Sequence, residues 1–109
     1  MKEERRKVVE VIRGTPYRRP TDLADELQMS RKTVLERRKE LQQETERYGV
    51  TAVIDDEKTV LINLYAFLDF MKYRTQLKDK NMRKYVPPYD PKKWADACAY
   101  GTKVYMEAM

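Results

Sequence analysis

The sequence predicts a mainly α-helical fold with a small β-hairpin and an added C-terminal helix and tail. Apolar residues recur at spacings of three and four in several separate blocks, the signature of amphipathic helices. One block breaks that rhythm: "VTAVIDDEKTVLIN" sets two runs rich in β-branched residues on either side of an acidic turn. Proline, glycine and capping residues fall between the blocks, where elements should end. A chain of 109 residues has the length of one domain. We divide it into a body, residues 1–82, and a C-terminal arm or partner-docking helix, residues 83–109.

The first helix is expected over Glu3–Arg13, where Val8, Val9 and Ile12 share a face and Gly14 stops the run. "GTPYRRP" reads as a connector, since its two prolines disfavour continued helix. Thr21 opens a second amphipathic run with Leu23, Ala24 and Leu27 on its buried side. Ser30 is placed to cap a third helix, residues 30–48, which Gly49 terminates. The hairpin follows, with Asp55-Asp56-Glu57-Lys58 as its turn. Asn63 is the cap of a fourth helix, "LYAFLDFMKYRTQLKDKN", and "VPPYDP" breaks it. Asp90-Pro91 has the form of a cap followed by proline at the first helical position. The final helix should gather Trp94, Ala97, Cys98, Gly101 and Tyr105 on one face.

Charge sets the expected partner. Twenty-three basic residues against 18 acidic ones leave +5 and a pI near 9.3, which favours an anionic partner, nucleic acid first. The excess is local: residues 31–39 hold five basic side chains and one acid, residues 64–86 hold six and two, and residues 50–63 are net acidic. The chain has no histidine and a single cysteine, Cys98, so histidine bases, histidine metal ligands, an internal disulfide and a cysteine zinc site are all excluded. With no phosphate-cradling glycine loop and no convincing carboxylate pair, we expect no enzyme, no metal and no cofactor. The N-terminal stretch is too charged for a signal peptide and no apolar run could span a bilayer, so the expected location is cytoplasmic, away from the membrane.

Helix, helix, turn, helix, hairpin is the order of a winged helix-turn-helix, and over "TDLADELQMSRKTVLERRKEL" the chain resembles DNA-binding proteins of that family. Ala24 is the small residue that lets two helices cross closely, Met29 plugs the turn, and Ser30 opens the recognition helix. Val34 and Leu41, seven residues apart, seat that helix on the core. Gln28 departs from the pattern where glycine is common, and Arg38 where leucine is commoner. Arg38 is expected to lay its stem along the core edge and turn its head to phosphate or water; deep burial in an ion pair would contradict this register. The resemblance implies double-stranded DNA as partner. Arg31, Lys32, Leu35, Glu36 and Lys39 would then read base edges, and Thr33, Arg37 and Arg38 would meet phosphate. Arg18, Arg19 and Thr21 would hold a phosphate at the start of the second helix, and Lys58 and Thr59 would serve at the wing tip, with Asp55 and Asp56 turned away. The other reading of "RKTVLERRKEL" is a solvated helix stitched by pairs such as Glu36 with Lys39 or Glu40 with Arg37.

The strand that runs straight into an apolar helix in "VLINLYAFLDFMKYR" is similar to the small excisionase-like proteins of bacteriophages and other mobile elements, over about Thr21 to Arg74. That likeness implies an architectural factor of DNA recombination that bends DNA and steers a recombinase. A small repressor acting in transcription regulation accommodates the same features. Possible protein partners are a recombinase, or the chain itself as a dimer or cooperative array. The competing class is a winged protein-interaction module docking on a recombinase, replication or secretion component, with Trp94 and Tyr105 as anchors. Tyr65, Phe67, Phe70 and Tyr73 read as core at helical spacing. Lys72, Arg74, Lys78, Lys80, Arg83 and Lys84 form either a second basic strip or solubilising charge.

Overall fold

Helices packed around one long apolar helix, with a small antiparallel sheet along one side, make up the computed structural model, which describes residues 16–99. The helix expected over Glu3–Arg13, and Gly101 and Tyr105 of the last helical face, lie outside these residues. The elements are β1 (Tyr17–Arg18), α1 (Pro20–Leu27), α2 (Arg31–Gln43), α3 (Thr45–Tyr48), β2 (Val53–Asp56), β3 (Thr59–Asn63), α4 (Leu64–Lys78), a 3-10 turn (Arg83–Tyr85) and α5 (Pro91–Ala99).

The sheet has the order β1-β3-β2, all antiparallel. Val53 pairs with Ile62 and Asp56 with Thr59, so Glu57 and Lys58 alone form the turn. Asp55 and Asp56, expected in that turn, belong to the strand instead. The connector also needs correction: Tyr17 and Arg18 pair with Asn63 and Ile62 as a third strand. Two extended residues before a proline carry no alternation to read, and only the unpaired edge of β3 recruits them.

α4 is the axis of the core. Leu64, Ala66, Phe67, Leu68 and Phe70 are all buried on it, against Leu23, Ala24 and Leu27 of α1, Val34 and Leu41 of α2, and Ile62 of β3. A helix apolar on nearly every side belongs in the interior. The Asn63 side chain accepts from the Ala66 amide at 3.1 Å and so caps it. Tyr65 and Tyr73 pack partly buried against the same cluster.

The third helix does not run unbroken to Tyr48. It ends at Gln43, Glu44 leaves helical geometry at φ −91° and ψ 52°, and α3 restarts at Thr45. No glycine or proline marks the break; Glu44 takes both prongs of Arg83, and Arg47 and Tyr48 dock on Asp69 of α4. Gly49, at φ 81° and ψ 171°, then turns the chain towards β2 in a region that only glycine visits cheaply.

The segment expected as an arm is docked over its described part. Tyr89 packs edge-on against Tyr48 with ring centroids 4.9 Å apart, Arg47 donates to the Pro87 carbonyl at 2.7 Å, and Trp94 Nε1 donates to Asp69 at 3.0 Å. Asp90 Oδ1 accepts from the Lys92 and Lys93 amides, starting α5 as its sequence predicts.

Candidate nucleic-acid interface

α1 and α2 set the geometry of the basic surface. Leu23 and Leu27 are fixed in the core, and Gln28 closes α1 in the left-handed conformation, φ 55° and ψ 44°, its amide reaching back to the Ala24 and Asp25 carbonyls. The chain thus takes here the backbone that the glycine of a tight inter-helix turn would take. Met29 packs against the core behind it. The Ser30 hydroxyl accepts from the Thr33 amide at 3.1 Å and lies 2.8 Å from the Thr33 hydroxyl, so both groups serve the helix start.

Val34 and Leu41 are 0% and 1% exposed, which fixes the rotation of α2. With a period of 3.6 residues, Lys32, Glu36, Lys39 and Gln43 then point directly outwards. All four are exposed, as is Arg31 at the N-terminus, and Arg31, Lys32 and Lys39 make no ion pair with another described residue. Leu35 is half-buried.

The two flanks of α2 carry the other basic residues, and these are engaged within the protein. On the α4 side, Arg37 donates to Glu40 at 2.9 Å, and Glu40 also accepts both prongs of Arg74, at 2.7 and 3.0 Å, and the Lys78 ammonium at 3.0 Å. The Arg74 hydrogen bonds, outweighing partial burial and joined by Lys78, hold the Glu40 carboxyl down at about 2. On the hairpin side, one Arg38 nitrogen donates to Gln42 at 2.8 Å and to Asp55 at 3.1 Å. Val34 and Leu41 seat α2 on the core as expected, but the Arg38 side chain, 16% exposed, turns its head to an acid of the hairpin and not to water. Its pairing comes from Asp55, an acid on the sheet face shared with buried Val53.

Elsewhere, Arg19 and Thr21 are exposed at the start of α1, whereas Arg18 Nε bonds Glu26 at 2.8 Å. Lys58 and Thr59 are exposed beside Glu57 at the hairpin tip. Asp55 turns inwards to Arg38, and Asp56 Oδ1 accepts from the Glu57 amide at 2.8 Å. The strip proposed after residue 64 is broken up: Arg74 and Lys78 serve Glu40, and Arg83 serves Glu44. Trp94 is half-buried against the body, so packing, the other use weighed for its anchor, is what it does here. Burial pushes the Cys98 thiol up from its ordinary value. No group of three or more His, Cys, Asp or Glu residues converges among the described residues, and no helix among them is long and apolar enough to cross a membrane.

Sequence reasoning missed Asp69, which is 2% exposed. It accepts from Arg47 at 2.9 Å, from the Tyr48 hydroxyl and from Trp94. Burial first, and then the bond to Asp69, push the Tyr48 phenol far above its ordinary value. The available signal was one acid inside the apolar run "YAFLDFM": a buried carboxyl so placed needs donors from elsewhere in the fold.

No family model matches the chain, and no curated protein or solved structure does.

Proposed function

We propose that this chain is a winged helix-turn-helix protein that binds double-stranded DNA sequence-specifically through the outward face of α2. On this reading it is an excisionase-like architectural factor or a small transcriptional regulator of a mobile element. The observation that carries the reading is the division of charge on α2. Arg37 and Arg38 are held by acids of the fold, while Arg31, Lys32 and Lys39 stand exposed on the N-terminal and outward surface of a helix whose rotation the core fixes. Such side chains suit guanine edges and phosphates, with roughly 1–3 kcal/mol of discrimination for each good two-pronged base contact. Glu36, in the same stripe, suits a cytosine amino group.

The test is duplex binding across a salt series. DNA binding requires log K to fall against log salt with a slope of about −0.9 per phosphate neutralised. Replacing Arg31 and Lys32 together by Ala should abolish the specific complex. Full sequence preference in that double variant would remove α2 from the groove.

A protein-docking module is the second reading. It is favoured by the wing, where Asp56 and Glu57 stand exposed next to Ile54, itself 42% exposed. This reading requires negligible duplex binding at physiological salt.

A further inference from the structure

The Arg38–Asp55 contact differs from the two arginine–glutamate pairs that tie α2 and its C-terminal end to the α4 side. Arg74 grips Glu40 with two nitrogens, and Arg83 grips Glu44 likewise. Arg38 reaches Asp55 with a single nitrogen at 3.1 Å, shares that nitrogen with Gln42, and leaves its buried Nε without a partner among the described residues. A guanidinium is built for two-pronged binding of a carboxylate or phosphate, so this pair uses only part of what Arg38 offers. Asp55 is also loosely held: its side chain is 44% exposed, and among the described residues its side chain pairs with Arg38 alone.

Position gives the contact its meaning. Arg31, Leu35, Arg38 and Gln42 form the stripe of α2 between the outward face and the hairpin. A duplex lying on Lys32 and Lys39 would bring phosphates to this margin, which a carboxylate now occupies. Resting on the DNA-binding reading, we infer that Asp55 stands in for a DNA phosphate at Arg38, and that duplex binding exchanges the carboxylate for phosphate. The acid then has a use in a basic surface. It neutralises a half-buried arginine in the unbound protein and is displaced cheaply, because a partly exposed single-pronged pair holds little energy. Such a contact disfavours loose binding that does not bring a phosphate to Arg38.

A purely structural brace predicts the opposite sign. If Asp55 only fastened the wing to α2, Asp55→Asn would loosen the wing and weaken binding. The exchange predicts that Asp55→Asn tightens binding of fragmented random-sequence duplex DNA, by about fivefold. Asp56→Asn is the matched control. It removes the same charge one residue along, on the other sheet face, and should gain less. Arg38→Met, which keeps the apolar stem, should flatten the salt slope by about 0.9 and cancel the Asp55→Asn gain, whereas Arg38→Lys should keep the slope. Thermal melts of each full-length variant establish that it is folded. Equal or weaker binding by Asp55→Asn, or an unchanged slope in Arg38→Met, overturns the exchange while leaving DNA binding in place. If no variant, nor the unaltered protein, binds duplex at low salt, the proposed function falls and the exchange falls with it.

Discussion

At Gln28 a residue with a Cβ holds the left-handed conformation that joins α1 to the turn. That geometry costs a non-glycine residue about 1–2 kcal/mol, and glycine would return part of the gain through a more flexible unfolded chain. Gln28→Gly should therefore raise stability by about 0.5–1 kcal/mol in a denaturant titration, with duplex binding unchanged. A loss of stability would mean that the Gln28 side chain contributes more than its exposure suggests. Glu40 supports a second prediction. Its folded value of about 2 lies below the ordinary 4.5, so its stabilisation is present above about pH 4.5 and is lost as pH falls through about 2. Solvent reaches the cluster with Arg74 and Lys78, which limits the effect to about 1–2 kcal/mol. The stability difference between the unaltered protein and Glu40→Gln should be largest near neutral pH and shrink steadily over that acid window. A constant difference would place the effect in packing.

At the scale of elements, Asp69 binds α4 to α3 through Arg47 and Tyr48, and to α5 through Trp94. Trp94→Phe keeps most of the ring and removes one donor from a buried carboxylate, which should cost about 1–3 kcal/mol. Asp69→Ala leaves a largely buried Arg47 without its acid and should cost about 3–5 kcal/mol. If Asp69→Ala were the milder of the two, Trp94 would be held by apolar packing rather than by the carboxylate. This cluster also marks where the sequence stops being readable. The caps Ser30 and Asn63, the seats Val34 and Leu41, and the aromatic core of α4 are local or periodic signals, and all are legible in the chain. The break at Glu44, the pairing of Tyr17 and Arg18 with β3, and the docking of α5 depend on partners 21 or more residues away. No window along the sequence contains both halves of such a contact. The candidate site divides the same way. Exposure of Arg31, Lys32 and Lys39 follows from helical periodicity, but the capture of Arg38 by Asp55 and of Arg74 by Glu40 does not.

For the whole molecule, the net charge of +5 overstates how evenly positive charge is presented. Glu40 and Glu44 absorb basic residues on the α4 side, and the hairpin offers Asp56 and Glu57 to solvent. The unspent charge on α2 sits at its N-terminal and outward surface, and Arg19 before α1 is exposed as well. A duplex seated there would meet the basic helix on one side and a largely acidic wing on the other, with Lys58 the hairpin's cation. This asymmetry opposes a wing laid flat along the minor groove. It bears on the two forms of the proposed function. An architectural factor must repay a bend of some 1–6 kcal/mol with added phosphate contacts, and an acidic wing cannot supply them from one domain alone. Any bend should therefore require several copies on adjacent sites. In circular-permutation gel shifts, bending should appear only in complexes holding more than one protein, with a single copy leaving the duplex straight. A bend induced by one copy would require the wing to be displaced from α2 on binding, and would put Lys58 and Thr59 back against the DNA. A straight complex with a two-fold footprint would instead identify a dimeric repressor, because half-site symmetry in the DNA mirrors symmetry in the protein.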